Sequence, residues 1–413
     1  MFIISDGVSV RIPLSFYKNG GISIDFTHCN NYKRILSLFP YNTHKKTMKK
    51  LFFFAIALLW TGFSSFSKTL PLQGEFINPS HRYIQYIGRI SHKTPDAIRF
   101  NYPGVQIRAS FRGTSLKMYA KPMSGFFMVK IDNAAPFKIS FNSPSDSIVT
   151  LATALNDTVH TVTIMNVIEA FHRQPEFKGF LLDKGKNLVF PPNLPQRKIE
   201  FIGNSITCGY GIESVEASDP FTEETENHYY TYAAITARNL HAQHFAIARS
   251  GIGIYRNYNG PREGSPDCMP AMYYQTLFND SSEIWDFSRY IPDVVCINLG
   301  TNDTSTPGYD TDRLYNAYLA FHKTVRNNYP KAKIVWLTGC MLHGESLSLV
   351  KNTLDRLSDT LHKAGDLEVY RFDMTPQTGE LGYGASWHPS LLQQQRMADE
   401  LTPFLRKLMS WTD

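Results

Sequence analysis

The sequence has few charged residues and few cysteines, and both shortages narrow the class of protein. Asp, Glu, Lys and Arg make up 19% of the 413 residues and hydrophobic residues 43%, a composition that favours sizeable cores over disorder. The formal net charge is +6, and no cluster of Lys and Arg is interleaved with aromatic residues, so nucleic acid is not expected as a partner. No Cys and His residues have the spacing of a metal site, and we expect neither a metal nor a cofactor.

Long apolar segments are also lacking, apart from one short run near the N-terminus. Residues 51–60 follow Met48-Lys49-Lys50 and precede small residues at 64–67, which is the layout of a secretory signal peptide. The run is too short to cross a bilayer comfortably, so we expect no stable membrane insertion after cleavage. Because a signal peptide should begin a protein, we interpret 48–67 as the signal and 1–47 as a misassigned upstream extension. The mature protein is then secreted or periplasmic.

Export would permit disulfides, yet the cysteines that follow residue 67 do not suggest them. Cys296 lies in an apolar strand-like run and Cys340 follows another, where a small buried thiol packs well. We predict that all four are free: Cys208, Cys268, Cys296 and Cys340.

Alternation of apolar and polar residues with a period of two dominates residues 69–190. Strand-like runs occupy residues 105–109, 116–119, 137–141, 159–165 and 177–183. Many short strands separated by turn residues predict an all-β sandwich of jelly-roll type. We expect this domain to be a scaffold for the second domain, and a separate sugar-binding module is the alternative. Three prolines within 191–195 predict a short, stiff connector, so the two domains should touch.

From 196 to 413, strand-like runs alternate with helical patterns. The runs occupy residues 198–202, 244–248, 293–298, 333–338 and 367–372. This alternation predicts an α/β domain of three layers, in which helices cover both faces of a parallel sheet. The carboxyl ends of parallel strands share one edge, and ligands of open α/β sheets bind there.

Four loop segments lie at or near these predicted strand ends. They are Gly203-Asn204-Ser205, Ser250-Gly251, Gly300-Thr301-Asn302-Asp303 and Trp387-His388-Pro389. A serine hydroxyl needs a base to become a nucleophile, and His388 is the natural base for Ser205 because its ordinary pKa lies near neutrality. The backbone N–H groups of Ser205 and Gly251 and the side-chain amide of Asn302 could form an oxyanion hole.

Each of these residues also has a purely structural interpretation. Ser205 could cap a helix, Gly251 could form a turn, Asn302 could satisfy a loop, and His388 could pack before the final helix. The order of the four segments along the chain, each near a strand end, favours the catalytic interpretation.

The four segments resemble the sequence blocks of SGNH (GDSL-type) hydrolases. The β region, the Gly-Phe-Leu-Leu-Asp run at 179–183, the Pro-rich connector and residues 197–203 together resemble the second carbohydrate-esterase family. The resemblance covers nearly the whole mature chain. It implies a jelly roll joined to an SGNH hydrolase domain, and an enzyme that removes acetyl groups from plant polysaccharides such as xylan or mannan.

Two positions depart from the SGNH pattern. Asn204 replaces the usual Asp, but its amide keeps the shape and can still hydrogen-bond the loop, so we expect tuning more than loss. Ala385 stands three residues before His388, where many SGNH enzymes carry an Asp. The resemblance implies a Ser–His dyad oriented by a backbone carbonyl, and a fold-back of Asp373 or Glu380 is the alternative.

The aromatic residues near the predicted site suggest how a sugar would bind. Trp387, beside the histidine, is placed to stack on a sugar face, and Tyr255 and Tyr258 are further candidates for the same cleft. We therefore expect a secreted serine esterase whose partner is an acetylated glycan. Two alternatives stay open: an esterase or lipase acting on another acyl ester, and a catalytically weak glycan-binding protein.

Overall fold

A computed structural model of the chain describes residues 74–412 and four short strands near the N-terminus. These strands form two antiparallel pairs: β1 (Phe2–Ser5) with β2 (Val8–Arg11), and β3 (Leu14–Phe16) with β4 (Ile22–Ile24). The predicted signal peptide at 48–67 and the start of the predicted β domain at 69–73 lie outside the described residues. No helix in the described part of the chain is long and apolar enough to cross a membrane.

The first domain consists of twelve strands in two antiparallel sheets. The strands are β5 (Glu75–Ile77), β6 (Gln85–Ile87), β7 (Ser91–Thr94), β8 (Ala97–Arg99), β9 (Gln106–Gly113), β10 (Leu116–Ala120), β11 (Gly125–Ile131), β12 (Phe137–Phe141), β13 (Ile148–Ala152), β14 (Thr158–Asn166), β15 (Glu176–Leu182) and β16 (Leu188–Val189). One sheet has the order β13-β10-β15-β8-β7 with β5 beside β15, and the other has the order β12-β11-β14-β9-β16 with β6 beside β9.

Alternate residues of these strands face a shared core. In β10, Leu116, Met118 and Ala120 are fully buried while the residues between them are half-exposed. Phe127 of β11 packs edge-to-face against Phe100, with ring centroids 6.2 Å apart. Buried residues of both sheets therefore form one hydrophobic cluster, as in a β-sandwich.

The second domain is built on a five-stranded parallel sheet. Its strands and an added hairpin are β17 (Arg197–Gly203), β18 (Ala242–Ala248), β19 (Gln275–Leu277), β20 (Asp280–Ile284), β21 (Val294–Ile297), β22 (Lys333–Thr338) and β23 (Val369–Asp373). The parallel order is β18-β17-β21-β22-β23, and β19 pairs with β20. The chain leaves β17 towards β18 and returns on its other side to β21, so the topological switch point lies at the carboxyl end of β17.

Helices cover both faces of the sheet. They are α1 (Ser205–Cys208), α2 (Tyr232–Asn239), α3 (Met269–Met272), α4 (Thr301–Thr304), α5 (Thr311–Asn328), α6 (Gly344–Lys363) and α7 (Leu391–Leu408), with short 3₁₀ turns at His228–Tyr230, Phe287–Arg289 and Ala385–Trp387. Side chains of α5 and α6 pack with Ile202 and Trp336 on one face, and those of α2 and α7 pack with Phe201 and Leu337 on the other. Neighbouring residues of one strand thus face different helix layers.

The two domains share a buried polar interface. Arg89 of the β domain and Glu200 of β17 are fully buried with their charged atoms 3.5 Å apart, and Arg89 also donates to the carbonyl of Gln275 at 2.9 Å. Asn101 makes two hydrogen bonds to the backbone of Phe278 in the β19–β20 hairpin, at 3.0 and 3.1 Å. Satisfied buried polar groups of this kind fix one relative orientation of the domains.

The predicted fold class is confirmed: an all-β sandwich precedes an α/β domain with a parallel sheet and three layers. The four cysteines between residues 74 and 412 are buried and free, as predicted. The sequence analysis did not predict the β19–β20 hairpin, which leaves the α/β domain to contact the sandwich.

Candidate active site

Ser205 is the first residue of helix α1, immediately after the central strand β17. The side chain of Asn204 caps this helix by accepting the N–H of Ile206 at 3.0 Å. Its amide nitrogen is buried without a partner in the described part of the chain. Asn204 therefore keeps the capping function that an Asp would have at this position.

His388 lies beside Ser205, although 182 residues separate them in the chain. Its Nε2 is 2.9 Å from Ser205 Oγ, and its Nδ1 is 3.2 Å from the backbone carbonyl oxygens of both Ala385 and Ser386. Carbonyl oxygens only accept, so Nδ1 carries the proton and Nε2 is free to accept the serine proton. A backbone carbonyl pair thus fixes the tautomer that a base requires.

Neither carboxylate considered as an alternative reaches this histidine. Asp373 pairs with Arg371 at 2.6 Å and with Lys351 at 3.2 Å. Glu380 is largely exposed and pairs with Arg396 at 2.7 Å. The alternative in which Asp373 or Glu380 folds back onto His388 is therefore wrong.

The turn before His388 has an unusual backbone. Ser386 and Trp387 adopt φ values of +51° and +58°, in the left-handed region that costs a residue with a side chain about 1–2 kcal/mol. Their N–H groups donate to the carbonyls of Asp219 and Ala217, at 3.2 and 3.1 Å. The loop around residues 217–219 thereby holds the turn that aims the carbonyls at His388.

An aromatic stack covers the imidazole ring. The ring of Tyr210 lies parallel to His388 with centroids 4.1 Å apart, and Phe221 stacks on the far side of Tyr210 at 4.2 Å. Burial lowers the pKa of His388 from 6.5 to about 4, while its hydrogen bonds to the two carbonyls oppose that change. The histidine is thus neutral at physiological pH.

The second and third predicted segments contact each other. Gly251 has φ +72°, so a side chain there would be strained although its Cβ would meet no other atom within 4 Å. Its carbonyl accepts the N–H of Tyr258 at 2.9 Å, and the side-chain amide of Asn302 donates to the carbonyl of Ile252 at 2.8 Å. Asn302 therefore contacts the turn that carries Gly251.

The carboxylate of Asp303 holds the backbone of the loop that follows Gly251. Its fully buried carboxylate accepts the N–H groups of Ile254, Tyr255 and Arg256 at 2.9–3.1 Å. Three backbone donors satisfy the charge that burial would otherwise penalise.

The three aromatic candidates for sugar binding differ in exposure. Trp387 is 58% exposed and Tyr258 is 56% exposed, so both rings can reach a ligand. Tyr255 is buried, and its hydroxyl accepts the N–H of Asp310 at 2.7 Å. Tyr255 is therefore largely a core residue that borders a cavity shared with Glu263 and Arg313, and its contact with sugar stays a prediction.

A buried acidic cluster contacts Cys208, the last residue of helix α1. Potential ligand atoms of Glu169, Cys208 and Glu226 lie within 4.8 Å of one another. Glu169 Oε2, however, already accepts the N–H of Ser250 and the S–H of Cys208, and Glu226 accepts the N–H of Glu169 at 3.0 Å. These contacts describe a hydrogen-bonded acid cluster and not an open set of metal ligands.

The sequence analysis missed three residues that surround the predicted pair. Tyr210 stacks on His388, Glu169 holds Ser250, and Gln394 of α7 bonds the carbonyl of Ile206 at 2.8 Å. The only signal for Glu169 is a lone carboxylate within an apolar run, and the other two carry no local signal.

Comparisons with known proteins agree with this arrangement. The Carbohydrate esterase 2 N-terminal family model matches residues 86–192, and the GDSL-like Lipase/Acylhydrolase family model matches residues 201–396. An acetylxylan esterase / glucomannan deacetylase of Cellvibrio japonicus is 31% identical over 341 residues, covering 81% of this chain and 91% of the relative. The chain belongs to carbohydrate esterase family 2. This membership confirms the resemblance inferred from the sequence blocks.

Other members of family 2 match over the same region. A solved family two carbohydrate esterase from Clostridium thermocellum, in complex with cellohexaose, is 37% identical with a TM-score of 0.74, covering 80% of this chain and 100% of that one. The cellulase/esterase CelE of Acetivibrio thermocellus is 37% identical over 328 residues. The match covers 79% of this family 2 chain but 40% of that relative's length.

Proposed function

We propose that this chain is a serine esterase that removes O-acetyl groups from a polysaccharide or oligosaccharide of the xylan or mannan type. The observation that carries the proposal is the 2.9 Å contact between Ser205 Oγ and His388 Nε2, with Nδ1 held by two carbonyls. This geometry supports the assignment of Ser205 as a nucleophile beside a neutral base. Similarity to an acetylxylan esterase / glucomannan deacetylase supports the substrate class.

In the first half of the reaction, Ser205 Oγ attacks the acetyl carbonyl carbon while His388 Nε2 takes the hydroxyl proton. The carbonyl oxygen becomes negative and accepts hydrogen bonds from the N–H groups of Ser205 and Gly251 and from the Asn302 amide. The imidazolium then gives its proton to the sugar oxygen as the carbon–oxygen bond to the sugar breaks. The deacetylated sugar leaves, and the acetyl group stays on the serine.

In the second half, water replaces the sugar. His388 takes a proton from the water molecule while the water oxygen attacks the acetyl carbon of the acetyl-enzyme. The bond from that carbon to Ser205 Oγ then breaks, the proton returns to Ser205, and acetate leaves. Carbonyls stabilise an imidazolium less than a carboxylate does, so this dyad relies on tautomer and orientation more than on charge.

Exposed aromatic rings support a sugar substrate. Trp387 adjoins the histidine and presents an open ring, and Tyr258 is tied to the Gly251 turn. The relative crystallised with cellohexaose supports a β-linked backbone as the bound polymer.

The substrate class supports export. Xylan and mannan are polymers outside the cell, so the proposed enzyme acts in the periplasm or the medium, in line with the predicted signal peptide at 48–67.

Acetate release from acetylated xylan and acetylated glucomannan tests the proposal. Ser205→Ala should lower kcat by at least about 10³-fold, because the nucleophile is lost. Ser348→Ala, which removes an exposed hydroxyl of α6, is the matched control and should leave kcat unchanged. Equal rates for Ser205→Ala and wild type would remove Ser205 as the nucleophile.

The same preparations separate the alternatives. Rates on p-nitrophenyl acetate, butyrate and octanoate that rise with chain length would favour a lipid or other acyl ester. Binding of oligosaccharide without acetate release would identify a glycan-binding protein.

A further inference from the structure

Glu169 belongs to the β domain by chain position but reaches the candidate active site. It follows strand β14, and its neighbours stay anchored in that domain: Asn166 bonds the carbonyl of Ile168 at 2.8 Å, and the N–H of Ala170 bonds the carbonyl of Asn101 at 3.0 Å. The Glu169 side chain itself is buried among residues of the α/β domain. Its position is therefore set by one domain and its contacts by the other.

One carboxylate oxygen of Glu169 touches both segments that carry the proposed backbone oxyanion donors. Oε2 accepts the N–H of Ser250, the residue before Gly251, and the S–H of Cys208, the last residue of the four-residue helix that begins at Ser205. Burial and the nearby carboxylates raise the pKa of the Cys208 thiol well above its usual range, so it stays a donor. A single acceptor thus bridges the Gly251 turn and the nucleophile helix.

The far side of the Gly251 turn is also fixed. The Gly251 carbonyl accepts the N–H of Tyr258 at 2.9 Å, and the Ile252 carbonyl accepts the amide of Asn302 at 2.8 Å. On the near side, Glu169 is the acceptor of the Ser250 N–H. Loss of that acceptor would leave a backbone donor unpaired and free the peptide that carries the Gly251 N–H.

Glu226 is the second carboxyl group of this buried pair. It accepts the Glu169 N–H at 3.0 Å, while its other oxygen has no partner among residues 74–412. Burial and the adjacent Glu169 raise the pKa of Glu226 well above its usual range. Burial raises the pKa of Glu169 as well, but the donors of Ser250 and Cys208 and the charge of Arg249 oppose that rise, so the proton of the pair resides on Glu226.

We infer that Glu169 is a positioning residue for ester hydrolysis, which holds the Gly251 N–H and the Ser205 helix at the separation that an oxyanion requires. The inference rests on the proposed function. It gives the β domain a part in catalysis that a scaffold or a sugar-binding module would not have.

Glu169→Gln tests the inference because it keeps the size of the side chain and removes its charge. The neutral amide oxygen of Gln can take the place of Oε2, but its hydrogen bonds to the Ser250 N–H and the Cys208 S–H lose the strength that the negative charge gives them. Since the oxyanion forms only in the transition state, kcat should fall about 10- to 100-fold while KM changes less than about 3-fold. Glu176→Gln is the matched control: this half-buried Glu of β15 pairs with Lys121, and kcat and KM should stay within about 2-fold.

The measurements are acetate release normalised to the acetyl-enzyme burst, with thermal unfolding by circular dichroism to report the folded fraction. A kcat loss in folded Glu169→Gln with KM preserved supports the inference. A wild-type kcat, or a loss that only follows the folded fraction, overturns it. If Glu169→Gln does not fold, Cys208→Ala decides by the same criteria, because it removes the donor on the helix side.

The proposed function fails separately. Activity in Ser205→Ala equal to wild type would refute the esterase mechanism, whatever Glu169→Gln does. An inactive Ser205→Ala together with a normal Glu169→Gln would refute only the role of Glu169.

Discussion

Lowering the pH should leave the enzyme active well below the range in which an ordinary histidine base stops working. His388 has a pKa of about 4 because it is buried under Tyr210, and a base is active only while it is unprotonated. The acid limb of kcat/KM reports this pKa in the free enzyme, so it should lie near pH 4 and not near 6.5.

The difference is large enough to measure at a single pH. At pH 5, a base with a pKa of about 4 is roughly 90% unprotonated, whereas one with the ordinary value is roughly 3% unprotonated. Wild type should therefore keep about 90% of its plateau kcat/KM at pH 5, where an unperturbed histidine would give a loss of about 30-fold.

The assay is acetate release from pH 4 to 8 at constant ionic strength, with Tyr210→Ala as the comparison. Removing the stacked ring exposes His388 to water, so its pKa should rise and the acid limb should move to higher pH. The loss of the ring contact should also lower kcat. The readout is the pH at which the acid limb of kcat/KM lies, because an overall loss of activity would not move it.

Acid unfolding must be separated from protonation of the base. His228 and His244 are buried with their Nε2 atoms 3.1 Å apart, and burial lowers the pKa of His228 to about 4. The unfolded chain then binds protons more readily than the folded one. The contribution of His228 to the free energy of unfolding is therefore full above about pH 6.5 and is lost as the pH falls towards 4. At pH 5 the loss is about 2 kcal/mol. Melting curves at each pH identify the range in which the enzyme is folded. A limb near pH 6.5 in folded wild type would refute the assigned environment of His388.

Two further predictions concern the oxyanion hole and the acid cluster. Asn302→Ala should lower kcat for acetate release about 100-fold with little change in KM, because it removes one donor to the oxyanion; an unchanged kcat would exclude that role. Glu226→Gln should gain stability relative to wild type as the pH rises from 5 to 9, by on the order of 3 °C in Tm. Because its pKa is raised, Glu226 stabilises the wild-type protein below about pH 4.5, and this stabilisation is lost as the pH rises. A Tm difference between Glu226→Gln and wild type that does not depend on pH would contradict this reasoning.

Much of the fold could be predicted because its signals are local. The predicted run at 198–202 falls within β17, and the predicted run at 333–338 coincides with β22. Buried parallel strands are apolar along their length and end in loops with Gly, so their positions and their shared edge follow from the sequence. That edge is why residues as distant as Ser205 and His388 could be predicted to meet.

The support of the site could not be predicted, because it depends on contacts between distant parts of the chain. Glu169 lies 81 positions before Ser250, and its apolar neighbours indicate only that it is buried. Tyr210 and Phe221 lie on a loop without periodicity, and the path of that loop stacks Tyr210 on His388 and Phe221 on Tyr210. The burial of Tyr255 could not be predicted for the same reason, since a loop sequence does not reveal which ring faces the core.

Close packing accounts for the small residue three positions before His388, where an Asp was expected. Ala385 is fully buried, and its Cβ lies so close to Gly211 that a side chain on Gly211 would approach it to 2.3 Å. A carboxylate on residue 385 would have to extend into this contact, so an Asp there could not simply restore a triad. The same close contact, together with the left-handed Ser386 and Trp387, turns two carbonyls towards Nδ1. In this chain the backbone of the turn takes the place of the carboxylate, and the turn works only while Gly211 and Ala385 stay small.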